Sequence, residues 1–169
     1  WFLMALALHA EGLWKLYESG ESVIQAVQDV SLTIEPGSMV AIMGPSGCGK
    51  TTLLNVLSGI DEPNSGVVIV NGENLYASND DERTRVRGKH MGFIFQEFNL
   101  LPVMTALENV ELPLLIQGMS ASDARKEATK ALTAVGLGDR LEHRPAELSG
   151  GQQQRVAIAR AVVHRPAIV

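Results

Sequence analysis

Met39-Val-Ala-Ile-Met-Gly44-Pro-Ser-Gly-Cys-Gly-Lys50-Thr51-Thr52-Leu-Leu-Asn-Val-Leu-Ser58 decides the fold. Met39 to Met43 is an unbroken apolar run, which suits a strand buried on both faces. Gly44 to Thr51 fits the pattern G-x-x-x-x-G-K-[ST], and Lys50 to Ser58 is predicted as a helix. The spacing has a chemical reason. Glycines let the backbone bend until several N–H groups face one anion. A helix beginning near Lys50 adds unpaired N–H groups and the positive end of its dipole. Lys50 is placed to reach the β- and γ-phosphates of a nucleotide, and the Thr51 hydroxyl to bind Mg²⁺. Thr52 is a further phosphate donor. Cys48 reads as a small loop residue.

Working outward, the flanks read as strands and helices. Leu6 to Leu13 is predicted as a strand. Val30, Leu32 and Ile34 alternate with Ser31, Thr33 and Glu35, the period of a half-buried strand. Pro36-Gly37 turns the chain. Val67 to Val70 is a strand closed by Asn71-Gly72, a strong turn pair. A charged helix is expected over Asp80 to Arg87 and a strand over Met91 to Phe95. From Ser120 the pattern is helical, with Ala124, Ala128, Leu132 and Val135 on one face. Ser120 caps that helix, and Gly136 and Gly138 end it. Gly150 to Val163 is a second long helix, stopped by Pro166. Ala167 to Val169 reads as the beginning of a buried strand.

Bulk composition sets the class. The chain has 169 residues, 46% of them apolar and 20% charged, and a net charge of -5, which describes one globular domain with a real core. Phosphate neutralisation supplies much of the affinity of nucleic-acid binders, so the acidic balance argues against nucleic acid as a partner. A single cysteine, Cys48, excludes an internal disulfide and fits a reducing cytoplasm. No apolar run approaches the ~20 residues of a membrane span. Trp1 to Ala10 lacks the basic start of a signal peptide. It reads as a few leading residues before a strand, with Met4 the natural start.

A second motif narrows the field. Leu148-Ser149-Gly150-Gly151-Gln152 is followed by Gln-Gln-Arg-Val-Ala-Ile-Ala-Arg160-Ala. Ser149, Gly150 and Gly151 stand at a helix N-terminus, a second anion-binding element in a chain that already has one. Here the sequence resembles the ATP-binding-cassette (ABC) ATPases, whose signature is LSGGQ, from about Tyr17 to Val169 with the motifs in family order. The resemblance implies a P-loop α/β fold with an antiparallel β subdomain and a helical subdomain. One domain is expected over 1–169: a β subdomain and phosphate-loop core over 1–96, a helical part with the signature over 97–165, and the first residues of a further core strand over 166–169.

What the resemblance implies about the site is specific. ATP is the ligand and Mg²⁺ its ion. Gly44, Pro45, Ser46, Gly47, Cys48, Gly49, Lys50, Thr51 and Thr52 would hold the phosphates. Gln96, in Phe93-Ile-Phe-Gln96, matches the family glutamine that contacts Mg²⁺ or the attacking water. Tyr17 matches the aromatic that stacks on adenine. Leu148, Ser149, Gly150, Gly151 and Gln152 would close on the ATP of a second copy in a head-to-tail homodimer. Phe98-Asn-Leu-Leu-Pro-Val-Met-Thr-Ala-Leu-Glu-Asn109-Val-Glu-Leu-Pro113-Leu-Leu115 looks like the lipoprotein-releasing and macrolide-exporting ATPases, near the cell-division FtsE proteins. In that group this stretch meets a membrane permease, which puts the protein at the cytoplasmic face of a bacterial inner membrane. Leu100, Leu101, Val103 and Met104 are then expected as contact surface. The family's Mg²⁺-binding aspartate, catalytic glutamate and γ-phosphate-sensing histidine have no counterparts in the chain, so it is expected to be an N-terminal portion that binds ATP without turnover. Two other readings stay open: a nucleotide-gated regulator of a cell-division-type complex, and a soluble ABC ATPase acting on DNA or ribosomes.

Overall fold

A computed structural model describes residues 6–20, 22–77 and 79–169. The expected start at Met4 lies outside them. The described residues fall into two compact units, one running up to His90 with Ile168, the other over 91–167 with Val169.

The first unit is built on four antiparallel strands, β1 (Leu8–Ser19), β2 (Ser22–Ile34), β3 (Ser65–Val70) and β4 (Glu73–Asn74), in the order β2-β1-β3-β4. β1 pairs along both edges, Leu8 opposite Ile34 on one side and Val70 on the other. It runs six residues past the predicted end at Leu13. The sequence hides this extension because the register shifts between Ala10 and Lys15, which breaks the alternation that marks a strand. Two helices complete the unit, α1 (Lys50–Leu57) and α2 (Asp80–His90). Leu8, Ala10, Leu13, Val27, Val56, Val68, Val70, Leu75 and Val86 are buried and form its apolar interior.

Two predicted strands are corrected. Met39 to Met43 forms no strand, and Met39 and Met43 are 98% and 85% exposed. A strand exists only through its neighbours, and among the described residues none pairs with this run. Met91 to Phe95 likewise carries no ladder; only Met91 makes a bridge. At the end of the chain Ile168 makes a single bridge, its N–H donating to the His90 carbonyl at 3.1 Å.

The second unit is helical: α3 (Ala106–Ile116), α4 (Ala121–Ala134) and α5 (Gly150–Val162), with one 3-10 turn at Pro145–Glu147. α4 begins as predicted, with the Ser120 hydroxyl accepting from the Asp123 N–H. It ends in a Schellman motif: the Gly136 N–H donates to the Thr133 carbonyl and the Leu137 N–H to that of Leu132. Leu132 and Leu137 then join Ala106, Leu107, Val110, Ala128, Leu148, Val156 and Ala159 in one core.

The sequence reading did not isolate α3. Its start signal is present, a Thr105-x-x-Glu108 pair ahead of an apolar run, and the structure forms the full capping box. Pro113 inside the helix masks the periodicity. The adjoining apolar cluster divides. Leu100 packs on the core, whereas Val103 is 76% exposed and Leu101 39%.

Candidate functional site

The phosphate-loop motif follows the geometry its glycines predict. Gly44, Gly47 and Gly49 all have positive φ, at 157°, 79° and 89°. Gly49 is constrained twice, because a Cβ there would also strike the Ala26 carbonyl of β2. The loop is thereby pressed against the sheet and then enters α1. No side chain caps α1, and no acidic residue occupies its first turn. Its leading N–H groups are open to an anion, with no carboxylate of the first turn to compete. The Lys50 ammonium folds back over the loop, donating to the carbonyls of Gly44 and Pro45 at 2.9 and 2.7 Å. Cys48 is exposed, with Sγ 3.7 Å from that ammonium.

Tyr17 belongs to the same site. One cavity of about 450 Å³ is lined by Tyr17, Ile24, Gln25, Ala26 and the loop from Ser46 to Thr52. The tyrosine hydroxyl donates to Asp61 Oδ2 at 2.6 Å, while Lys15 Nζ donates to Asp61 Oδ1 at 2.7 Å and lies 5.0 Å from the Tyr17 ring centroid. The nearby carboxylate acceptor raises the Tyr17 hydroxyl pKa. Burial pushes the Asp61 carboxyl up, but hydrogen bonds from Lys15 and Tyr17 outweigh it and leave the pKa lowered. The ring is therefore held at its hydroxyl and along one side by a cation. Lys15 and its contact with the ring were not legible in the sequence, since a lysine two residues before a strand tyrosine carries no signal of its own.

Gln96 and the LSGGQ stretch lie in the second unit. Gln96 is exposed and occupies the second position of a turn, closed by the Phe98 N–H donating to the Phe95 carbonyl at 3.0 Å. Leu148 is buried in the core. Ser149 caps α5: its Oγ accepts from the Gln152 N–H, and its own N–H donates to Gln152 Oε1 at 2.8 Å. The hydroxyl keeps its proton free to donate elsewhere. Gly150 and Gly151 are exposed, and a Cβ on either would meet nothing within 4 Å. Packing inside this chain gives no reason for glycine at these two positions.

Thr51 is exposed and Thr52 half-buried at the cavity wall. Among the described residues no group of three or more His, Cys, Asp or Glu is placed to hold a metal. A Mg²⁺ here would need hydroxyl and phosphate oxygens, the habit of that ion in nucleotide sites. No helix among the described residues is long and apolar enough to cross a membrane.

Known proteins resemble this chain in sequence and fold. The family described as ABC transporter matches residues 27–169. The uncharacterized ABC transporter ATP-binding protein MJ1508 of Methanocaldococcus jannaschii is 51% identical over 96% of this chain and 72% of its own length. The lipoprotein-releasing system ATP-binding protein LolD of Alcanivorax borkumensis is 48% identical over 96% and 71%. A dimeric post-hydrolysis structure of the ATP-binding cassette MJ0796, bound to ADP and Pi, superposes with a TM-score of 0.84 at 45% identity, covering 94% of this chain and 70% of that one. The glycine-bent loop, the capped LSGGQ helix and these matches lead to one conclusion: the chain belongs to the ABC transporter family, as an ATP-binding protein with that family's ATPase fold.

Proposed function

We propose that this chain binds MgATP in the cavity shared by Tyr17 and the phosphate loop, and that in the full-length protein it works as a head-to-tail dimer driving a membrane permease. The observation that carries the reading is the cavity itself. It joins an aromatic platform to an uncapped helix start and a lysine. In this reading adenine stacks on Tyr17. Lys50 exchanges the carbonyls of Gly44 and Pro45 for phosphate oxygens. The backbone N–H groups of the loop from Ser46 to Gly49 and the Thr52 hydroxyl complete the cradle. Thr51 would offer its hydroxyl to Mg²⁺, which would supply charge neutralisation for phosphoryl transfer, and Gln96 keeps the role of the family glutamine by resemblance alone. The surrounding residues act by position and charge, since phosphoryl transfer to water needs no covalent enzyme intermediate.

Ser149, Gly150 and Gly151 fit the role of closing on a partner's nucleotide. The open space above both glycines is what a surface that receives phosphates from outside requires. Val103 and Leu101 are exposed beside α3, consistent with a permease contact over Phe98 to Leu115. The likeness of that stretch to lipoprotein-releasing and macrolide-exporting ATPases favours an exporter at the cytoplasmic face of an inner membrane. Turnover is proposed for the dimer, on the strength of the family's ATPase fold.

Calorimetry of MgATP binding to this chain and to Lys50→Ala tests the proposal. A charged hydrogen bond is worth about 1.5–3 kcal/mol, so affinity should fall about 10- to 150-fold. Equal affinity in the two proteins would sink the assignment of the loop.

A further inference from the structure

Arg160 is unusual for a guanidinium. It lies on α5, half-buried, and among the described residues no carboxylate comes within 4 Å of it. Its two terminal nitrogens donate instead to consecutive backbone carbonyls, Nη2 to Phe98 at 2.7 Å and Nη1 to Asn99 at 2.6 Å. Those two residues both have positive φ, 60° and 47°. Two adjacent non-glycine residues in the left-handed region are costly, and a bulky Phe more so than an Asn. Such a conformation persists only where its surroundings over-determine it.

The strained pair begins at Phe98, the last residue of the turn that carries Gln96. On the other side of that turn, Gly92 lies so close to the Ala161 carbonyl of α5 that a Cβ would clash with it. The segment is thus fastened to adjacent residues of one helix, at Gly92 by close approach and at Phe98–Asn99 by two charge-assisted hydrogen bonds. Burying an unpaired cation costs stability, and core packing alone would be served better by an apolar side chain.

We propose that Arg160 is a positioning residue for Gln96, holding the strained exit of its turn so that the glutamine amide stands ready for the nucleotide. This rests on Gln96 acting at MgATP, as proposed above. Arg160 touches neither substrate nor metal; it acts through the backbone two and three residues beyond the glutamine. Lysine is no substitute, because one ammonium cannot match two carbonyls with the planar fork of a guanidinium.

The test is a double-mutant cycle in the full-length protein, reading steady-state ATPase alongside binding of a fluorescent ATP analogue. Arg160→Met should lower kcat about 10- to 100-fold, the scale of a misplaced catalytic group, with nucleotide affinity within about twofold. In a Gln96→Ala background the same substitution should cost less than about twofold, because the group it positions is gone. A kcat loss as large in that background as in the parent would overturn the proposal and leave Arg160 a packing residue. Should Gln96→Ala leave turnover unchanged, the role of Gln96 itself fails, and the inference falls with it. If Arg160→Met does not fold, Arg160→Lys carries the same comparison, since it keeps the charge and most of the volume. A loss confined to the parent that keeps Gln96 supports the proposal, and an equal loss in both backgrounds overturns it.

Discussion

Asn109 offers the most direct test of how the helical unit is held together. It lies on α3 with no exposed surface. Its Oδ1 accepts from the Leu101 N–H at 2.8 Å, and Nδ2 faces the carbonyls of Leu101, Met104 and Thr105 at 3.1, 3.2 and 2.9 Å. Nδ2 has two protons, so the side chain makes about three full hydrogen bonds and knots the 101–105 loop onto α3. At about 1 kcal/mol each, Asn109→Ala should cost about 3 kcal/mol, reduced to about 2 where water reaches the exposed loop. Asn109→Asp is sharper. It keeps the acceptor, loses both donors, and sets a carboxylate against three carbonyl oxygens. At neutral pH it should destabilise more than alanine. Its folded-state pKa must lie above the unfolded value, so the variant should gain relative stability as pH falls and the neutral acid recovers a donor. Urea denaturation of the full-length protein gives the magnitude, and amide hydrogen exchange localises it to 101–105. An aspartate variant as stable as the parent at pH 7, or an alanine variant within about 0.5 kcal/mol, would refute the reasoning.

Two more expectations concern the first unit. Tyr17→Ala should weaken ATP binding by about 1–3 kcal/mol, the worth of one base stack, while leaving inorganic tripolyphosphate affinity unchanged; a parallel loss for both ligands would mean the tyrosine only supports the loop. Hydrogen bonds from Lys89, His90 and Arg85 hold Glu73 down from its ordinary 4.5 to about 2. A depressed carboxyl contributes stability that is complete above the unfolded pKa and lost as pH falls through the folded one, so this contribution should fade from about pH 4.5 to 2. Glu73→Gln should flatten the acid limb of a stability-against-pH curve, and an unaltered limb would remove Glu73 from the account.

Much of the site was legible because its chemistry is local. The glycine spacing of 44–51 dictates a loop, and Ser149, Gly150 and Gly151 read as a helix start; both formed, the second as a capping box closed by Gln152 that the sequence reading did not draw out. α4 was legible down to its ends, since Ser120 and Gly136 act on neighbouring backbone groups. What failed depended on partners distant in sequence. Met39 to Met43 has the composition of an interior strand, but composition does not supply the neighbouring ladder. The long-range polar contacts were invisible for the same reason. Arg160 meets Phe98 and Asn99 across 62 and 61 positions, and Lys15 meets Asp61 across 46. Neither arginine nor lysine advertises a backbone or ring as its target.

α5 is also a measuring rod. Ser149 caps its start and Arg160 grips the loop eleven residues later. At 100° and 1.5 Å per residue, eleven steps return to within about 20° of the same face, about 16 Å along the axis. The two ends of the helix are therefore in phase. One inserted residue between them would swing the guanidinium by about 100° and lose both carbonyls, whatever residue was inserted. Substitution at exposed Gln154 or Arg155 changes neither phase nor length. Along this stretch the count of residues is held more tightly than their identity, so tolerance to replacement and tolerance to insertion should part company here.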